Sequence, residues 1–352
     1  MKKIKILGAG LSGLTAAINL AKSGYTVEVY EKNKDVGMRF NGDIQGLENW
    51  SDKKDIIEEL REMNVDVNFD FTPFRSIIIT NGLKAKEIRW KRTLFYLLRR
   101  GPFSGTIDYS LKAQALKLGV NIHFQETLAQ NEANIIATGP TIIEAPGMVK
   151  GIVFKTDIKD IAILAFNDKL AFKGYSYLLV TKGYGCLCSV MMKDEASRIN
   201  WYFERTKEFF LKKIPFQLQI IREVSGIGSF SLKKVKSGVP LYVGEAAGLQ
   251  DFLWGFGMRF AFASGYLVAQ SVICKTDYEK IADKHFRNRL RAGIINRWLI
   301  ENILSKEDYS ALVNFPQLIE KLYSIQNYNL LLKTMYPLAL LSLKKRYLNL
   351  RS

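Results

Sequence analysis

Residues 2–31 read KKIKILGAGLSGLTAAINLAKSGYTVEVYE. Lys2 to Leu7 is a short run with β-branched residues and few breakers, and it predicts a buried strand. Gly8-Ala9-Gly10-Leu11-Ser12-Gly13 follows at once, and Leu14 to Lys22 carries helical periodicity until Gly24. Thr26 to Tyr30 predicts a second strand that ends on Glu31. Strand, Gly-x-Gly-x-x-Gly, helix, strand and acid in this order predict a dinucleotide-binding βαβ unit. Gly8 serves the tight turn, Gly10 the approach of a pyrophosphate, and Gly13 close packing of helix on sheet. Backbone N–H groups along the turn, with Ala9, Leu11 and Ser12 between the glycines, face the phosphates. Glu31 can accept from a ribose, which favours an adenosine without a 2′-phosphate, and Lys32 beside it joins the candidate cofactor residues.

Composition narrows the classes. The chain has 352 residues, 48% of them hydrophobic, enough for a sizeable core and more than one domain. Three cysteines (Cys186, Cys188, Cys274) make no disulfide framework and fit a reducing, cytoplasmic setting. With only two histidines, His123 and His285, neither a histidine metal site nor a Ser-His-Asp triad is expected, and no metal. A start directly on a core strand predicts no signal peptide, and no apolar run reaches the roughly 18–20 residues of a membrane span. The net charge is +17, and from Lys284 onward there are twelve Lys/Arg against four Asp/Glu. An anionic membrane, an anionic substrate and a merely solvated basic face all suit that excess.

After Glu31, Met38 to Trp50 (MRFNGDIQGLENW) has no clear period and predicts a loop, either over a bound cofactor or simply on the surface. Arg39 in it suits a phosphate, and Asn41 or Gln45 the edge of a ring. Asp52 to Met63 predicts an amphipathic helix, and Ser76 to Trp90 a hairpin turned at Asn81-Gly82 as a two-residue type I′ turn. Strand, helix and strand return between Leu94 and Ala137. From Gly151 to Met192 four strand-like runs predict an antiparallel sheet, on which Cys186 and Cys188 share a face. Leu241 to Gly244 predicts a short buried strand and Met258 to Cys274 a helix. A strongly basic helix over about Asp277 to Leu304 follows.

LYVGEAAG (241–248), GFGM (255–258) and ASG (263–265) resemble the second FAD signature of flavoproteins with the p-hydroxybenzoate hydroxylase-type fold. The resemblance implies that Gly244 and Glu245 meet the ribityl chain and that Gly255 and Gly257 face pyrophosphate and flavin. It also makes Arg100 a flavin contact, with Asp108 in a family-like place. Glu245 stands where the pattern has Asp, and Leu253-Trp254 where Pro is common. Within this superfamily the chain is most similar to the geranylgeranyl reductase family, whose Tyr-x-Trp-x-Phe-Pro element is matched loosely by Gly174 to Val180.

The resulting expectation is an α/β protein: a Rossmann-like FAD-binding domain (1–75, 94–150, 233–275) interrupted by an antiparallel β-sheet substrate domain (76–93, 151–232), then a helical basic C-terminal region (276–352). The resemblance implies hydride transfer from reduced flavin to carbon–carbon double bonds of an isoprenoid lipid, with an unidentified electron donor. An FAD monooxygenase of an aromatic molecule and a non-catalytic flavin-fold binding protein are the alternatives. Tyr175, Tyr177, Trp254 and Phe256 are expected to line the substrate pocket, with Tyr175 or Tyr177 a candidate proton donor. Nucleic acid is not expected as a partner. The tail Tyr336 to Ser352 has Leu338, Leu341, Tyr347 and Leu350 for an apolar side and Lys344, Lys345, Arg346 and Arg351 beside it. It suits an anionic membrane interface or packing on the core.

Overall fold

Strand β1 (Lys3–Leu7) runs into the Gly8 turn, and the turn opens helix α1 (Leu11–Lys22). The structure, a computed structural model, describes residues 3–140, 146–214, 217–230, 238–307, 309–315, 318, 319, 322 and 330–347. β1 pairs in parallel with β2 (Thr26–Glu31), which pairs with β8 (Asn121–Phe124). On its other side β1 meets β9 (Ile135–Ile136) and then β15 (Leu241–Tyr242), so this five-stranded sheet is parallel throughout. The two signature stretches, more than two hundred residues apart, thus end on one sheet edge. α1 is buried along most of its length because α5 (Met258–Cys274) lies across it. Gly265 makes that crossing possible: a Cβ there would lie 2.3 Å from the Ser12 carbonyl oxygen.

A second sheet of three antiparallel strands joins β3 (Ile44–Glu48), β7 (Phe95–Arg99) and β4 (Thr72–Phe74). The expected loop over 38–50 is therefore half strand. Gln45 and Gly46 hide the alternation, but Ile44 and Leu47 are fully buried and β7 supplies the ladder. Helices α2 (Ile56–Glu62) and α3 (Ile107–Lys117) start on Asp55 and Thr106, whose side chains accept from Ile57 N–H and Tyr109 N–H.

The third sheet has seven strands, in the order β14 (Gln219–Gly228), β10 (Gly147–Lys155), β13 (Tyr184–Met192), β12 (Tyr175–Thr181), β11 (Ile161–Ala165), β5 (Ser76–Thr80), β6 (Ala85–Arg89). All its pairs are antiparallel except β11 with β5. The β5–β6 hairpin forms, but its connection spans residues 81–84 rather than two. Asn81 keeps an ordinary φ and its Oδ1 accepts from Leu83 N–H and Lys84 N–H, which a type I′ turn excludes. α4 (Ile199–Lys213) covers one face of this sheet through Phe203 and Phe210. The other face turns toward β3 and β7.

After α5 come α6 (Tyr278–Asn302), α7 (Ser310–Asn314) and α8 (Leu330–Arg346). Tyr309 and Leu312 join the core between the second and third sheets. Ala339, Leu343 and Tyr347 pack on Ile294, Ile295 and Phe252, and Tyr347 Oη donates to Glu301 Oε1 at 2.8 Å. The expected apolar side of the tail is corrected here. Tyr347 is buried, whereas Leu338 and Leu341 point away from it and are exposed. Arg346 is paired with Glu301, and Leu350 and Arg351 lie outside the described residues. Among the described residues no helix is long and apolar enough to cross a membrane.

Candidate functional site

The carboxyl edge of the parallel sheet carries the first cluster. A Cβ on Gly8 would lie 2.4 Å from the Ala137 carbonyl oxygen, and one on Gly13 would lie 2.1 Å from that of Gly8. Both glycines are demanded by the fold. Gly10 is different: its φ is −81°, open to any residue, and a Cβ there would meet nothing nearer than the Ala137 oxygen at 4.0 Å. The protein's own packing does not ask for glycine at position 10, but a phosphate against the backbone would. Gly10 is also the N-cap of α1, and no side chain caps that helix. Its first N–H groups, from Leu11, Ser12 and Gly13, suit an anion. Glu31 closes the cluster, with Oε2 accepting from Ala9 N–H at 3.0 Å and Oε1 from Asn33 Nδ2 at 2.6 Å. Lys32 is exposed beside it.

The second cluster belongs to the stretch after β15. Gly244 adopts φ +58°, and its N–H donates to Ser264 Oγ at 2.9 Å, which ties the turn to α5. A Cβ on Gly244 would stand 2.8 Å from Ser12 Oγ, so both signatures converge within one contact. Arg39 Nη1 donates to Glu245 Oε2 at 2.8 Å and Nη2 to the Ile227 carbonyl at 2.6 Å. Arg39 and Glu245 thus face one another across the same cleft. Gly255 turns at φ +76° with nothing within 4 Å of a Cβ, and Gly257 is the N-cap of α5, again without a side-chain cap. The residues of both clusters fit a dinucleotide that runs along this edge.

Arg100 is engaged within the protein. It is buried, with Nε and Nη2 each 2.8 Å from Asp108 carboxylate oxygens and Nη1 3.0 Å from Gln45 Oε1. All three nitrogens are engaged within the protein, and the guanidinium lies 4.1 Å above the Phe40 ring. Arg100 therefore binds β7, α3 and the 38–45 segment together. Asp43, which nothing in the sequence marks, is buried beside Arg222. Burial pushes its carboxyl up to about 6, against the pull of Arg222 at 3.1 Å. Arg99 stacks on Tyr184 at 3.9 Å, and its Nε has no hydrogen-bond partner.

Beyond lies the inner face of the seven-stranded sheet. Tyr175 and Tyr177 are neighbours at 6.2 Å between ring centres, and Tyr175 meets Trp254 edge-on at 5.8 Å. Phe166 and Tyr309 extend this aromatic wall. Phe256 stands apart from it, edge-on to Trp50 at 4.5 Å and above Gly46. Tyr175 Oη donates to the Trp254 carbonyl, and burial raises both tyrosines above the ordinary phenol range. Cys186 and Cys188 do share a face, with their sulfurs 3.4 Å apart, and burial pushes the Cys188 thiol up. A small cavity lies behind Trp254 and Phe256, bordered by Trp50, Glu48, Asp251 and Gly293. Burial lifts Asp251 to about 6, and its Oδ2 accepts from Trp254 N–H at 2.6 Å. Asp251 lies between the quoted stretches 241–248 and 255–258, three residues past Gly248, and spacing alone gives it no role. Among the described residues no cluster could hold a metal ion.

Comparison with known proteins agrees with this geometry. Residues 6–44 match the NAD(P)-binding Rossmann-like domain family. A 1-hydroxycarotenoid 3,4-desaturase of Flavobacterium sp. (strain P99-3) is 37% identical over 81 residues, 20% of this chain and 16% of that protein. The chain thus matches less than a fifth of that relative's length. Among solved structures, a geranylgeranyl bacteriochlorophyll reductase-like protein from Thermoplasma acidophilum superposes with a TM-score of 0.70 at 18% identity, over 98% of this chain and 99% of that one. A flavin-dependent brominase superposes with a TM-score of 0.66 at 14% identity, over 97% and 99%. At such identities the shared property is the fold, and it extends over nearly the whole chain.

Proposed function

We propose that the chain is an FAD-dependent oxidoreductase that reduces carbon–carbon double bonds of an isoprenoid lipid. The observation that carries the cofactor is Gly10, a glycine with ordinary φ and open space where a pyrophosphate would pass. In this reading Gly8 to Gly13 and the α1 N-terminus hold the diphosphate, Glu31 the adenosine ribose, and Gly244, Glu245 and Gly257 the flavin half. Reduced FAD supplies a hydride for one carbon of the double bond.

The chain's own residues bind and orient the lipid and keep water away. An apolar chain suits the wall of Tyr175, Tyr177, Phe166 and Trp254, since hydrocarbon against aromatic rings leaves no polar group unpaired. The other carbon needs a proton. Tyr175 is a poor source because its hydroxyl is engaged by the Trp254 carbonyl. Asp251, in the same loop, is the other candidate: burial lifts its carboxyl to about 6, and it borders the cavity behind Trp254.

The fold shared with the reductase-like protein supports this reading, and the carotenoid desaturase match adds a second relative named for an isoprenoid-derived substrate. The test is anaerobic: protein with chemically reduced FAD is mixed with a geranylgeranyl lipid and the lipid is weighed by mass spectrometry. Gain of two hydrogens for each double bond supports the proposal. Oxygen-dependent hydroxylation of an aromatic, with no alkene reduction, identifies a monooxygenase instead.

A further inference from the structure

We propose that the outer face of α8, formed by Leu330, Leu331, Leu338 and Leu341 with Lys344 and Lys345 at its end, docks on an anionic membrane surface. The helix has two opposed apolar sides. One, with Leu332, Ala339 and Leu343, is buried against the protein. On the other, Leu330, Leu331, Leu338 and Leu341 are 78%, 66%, 59% and 62% exposed. Leu331, Leu338 and Leu341 recur at helical spacing, so they form one stripe along the axis. Among the described residues these four leucines are a large share of the exposed large hydrophobic side chains, and no other element carries as many. A run of exposed leucine on one helix marks an interaction surface.

Charge selects the occupant. Lys345 is exposed and Lys344 half-exposed at the C-terminal end of the stripe, while Arg346 is turned inward to Glu301. A second copy of a chain with net charge +17 would be repelled, whereas an anionic bilayer offers both apolar depth and negative charge. α8 is anchored by its inner side and so lies along such a surface rather than entering it.

The experiment uses the full chain and vesicles of phosphatidylcholine, alone or with phosphatidylglycerol. Flotation at low salt should recover the protein with the phosphatidylglycerol vesicles, and high salt should release it. Leu338→Ser/Leu341→Ser should weaken binding by about tenfold or more, since two exposed leucines no longer enter the interface. Lys344→Glu/Lys345→Glu should weaken it comparably. These side chains face solvent, so both variants should melt like wild type. Wild-type binding by either variant overturns the proposal. So does light scattering in which wild type is a dimer and the serine variant a monomer, which would make a second copy the occupant.

Discussion

Gly10 separates what the fold requires from what a ligand requires. Gly8 and Gly13 would drive a Cβ into backbone oxygen, while Gly10 would not. Gly10→Val should therefore fold with nearly wild-type stability and purify without flavin, as read by absorbance and thermal melting. Gly13→Ala should instead destabilise the protein itself. Glu31 and Glu245 are acceptors at the two ends of the cleft, and loss of a charged hydrogen bond costs about 1.5–3 kcal/mol. Each alanine variant should bind FAD roughly ten- to a hundredfold more weakly, measured by flavin fluorescence titration.

Arg100 and Asp43 make opposite cases among the buried charges. Arg100→Met would leave Asp108 buried without its partner, at a cost of about 3–5 kcal/mol in denaturant unfolding. A loss of flavin affinity with stability intact would make Arg100 a cofactor contact after all. Asp43 has a folded-state pKa of about 6, above its ordinary value, because burial disfavours the carboxylate. The native state therefore holds this proton more tightly than the unfolded chain. Asp43 contributes most stability below the ordinary carboxylate range, and that contribution is lost as pH rises through about 6. Asp43→Asn lacks this dependence. Its stability relative to wild type should rise by about 1–3 kcal/mol between about pH 4 and pH 7.

At the scale of elements, those with a strong local pattern were legible in the sequence. α5 spans Met258–Cys274 and β12 spans Tyr175–Thr181, as periodicity and β-branched content predict. β3 was not legible, because Gly46 sits in its middle and its stability comes from pairing with β7. The 81–84 connection was not, because the Asn81 side chain competes for the backbone N–H groups that a tighter turn would leave to the strands. The two sides of α8 were mixed because apolar residues lie on both of them, and only the packing on α6 shows that Tyr347 falls on the inner side and Leu338 and Leu341 on the outer. Tyr347→Ala should cost about 3–5 kcal/mol, the usual range for losing a buried aromatic. Leu341→Ser should cost little, since that side chain faces solvent. Chemical denaturation of both variants checks the assignment.

For the whole molecule, the two signatures anticipated the parallel sheet, the runs between Gly151 and Met192 an antiparallel one and the basic helix after Asp277 a helical C-terminal region, and the three-stranded sheet of β3, β7 and β4 is additional to these. The sequence pattern marks Gly8 to Gly13, Glu31 and Gly244, which the fold brings to one edge of the parallel sheet. The candidate site was not legible where it rests on side chains from distant strands, as in the pairs Arg39–Glu245 and Asp43–Arg222. The same fold serves a reductase-like protein and a brominase, so fold alone does not select the reaction. The aromatic wall of Tyr175, Tyr177, Phe166 and Trp254 leads us to place the substrate among apolar lipids rather than soluble aromatics. The most direct measurement is the anaerobic turnover of a geranylgeranyl lipid by the FAD-loaded, reduced protein, with flavin absorbance and lipid mass followed together. The account predicts that oxidised flavin absorbance returns as the lipid gains two hydrogens per double bond. Flavin that stays reduced over an unchanged lipid, or a protein that takes up no flavin, would contradict it.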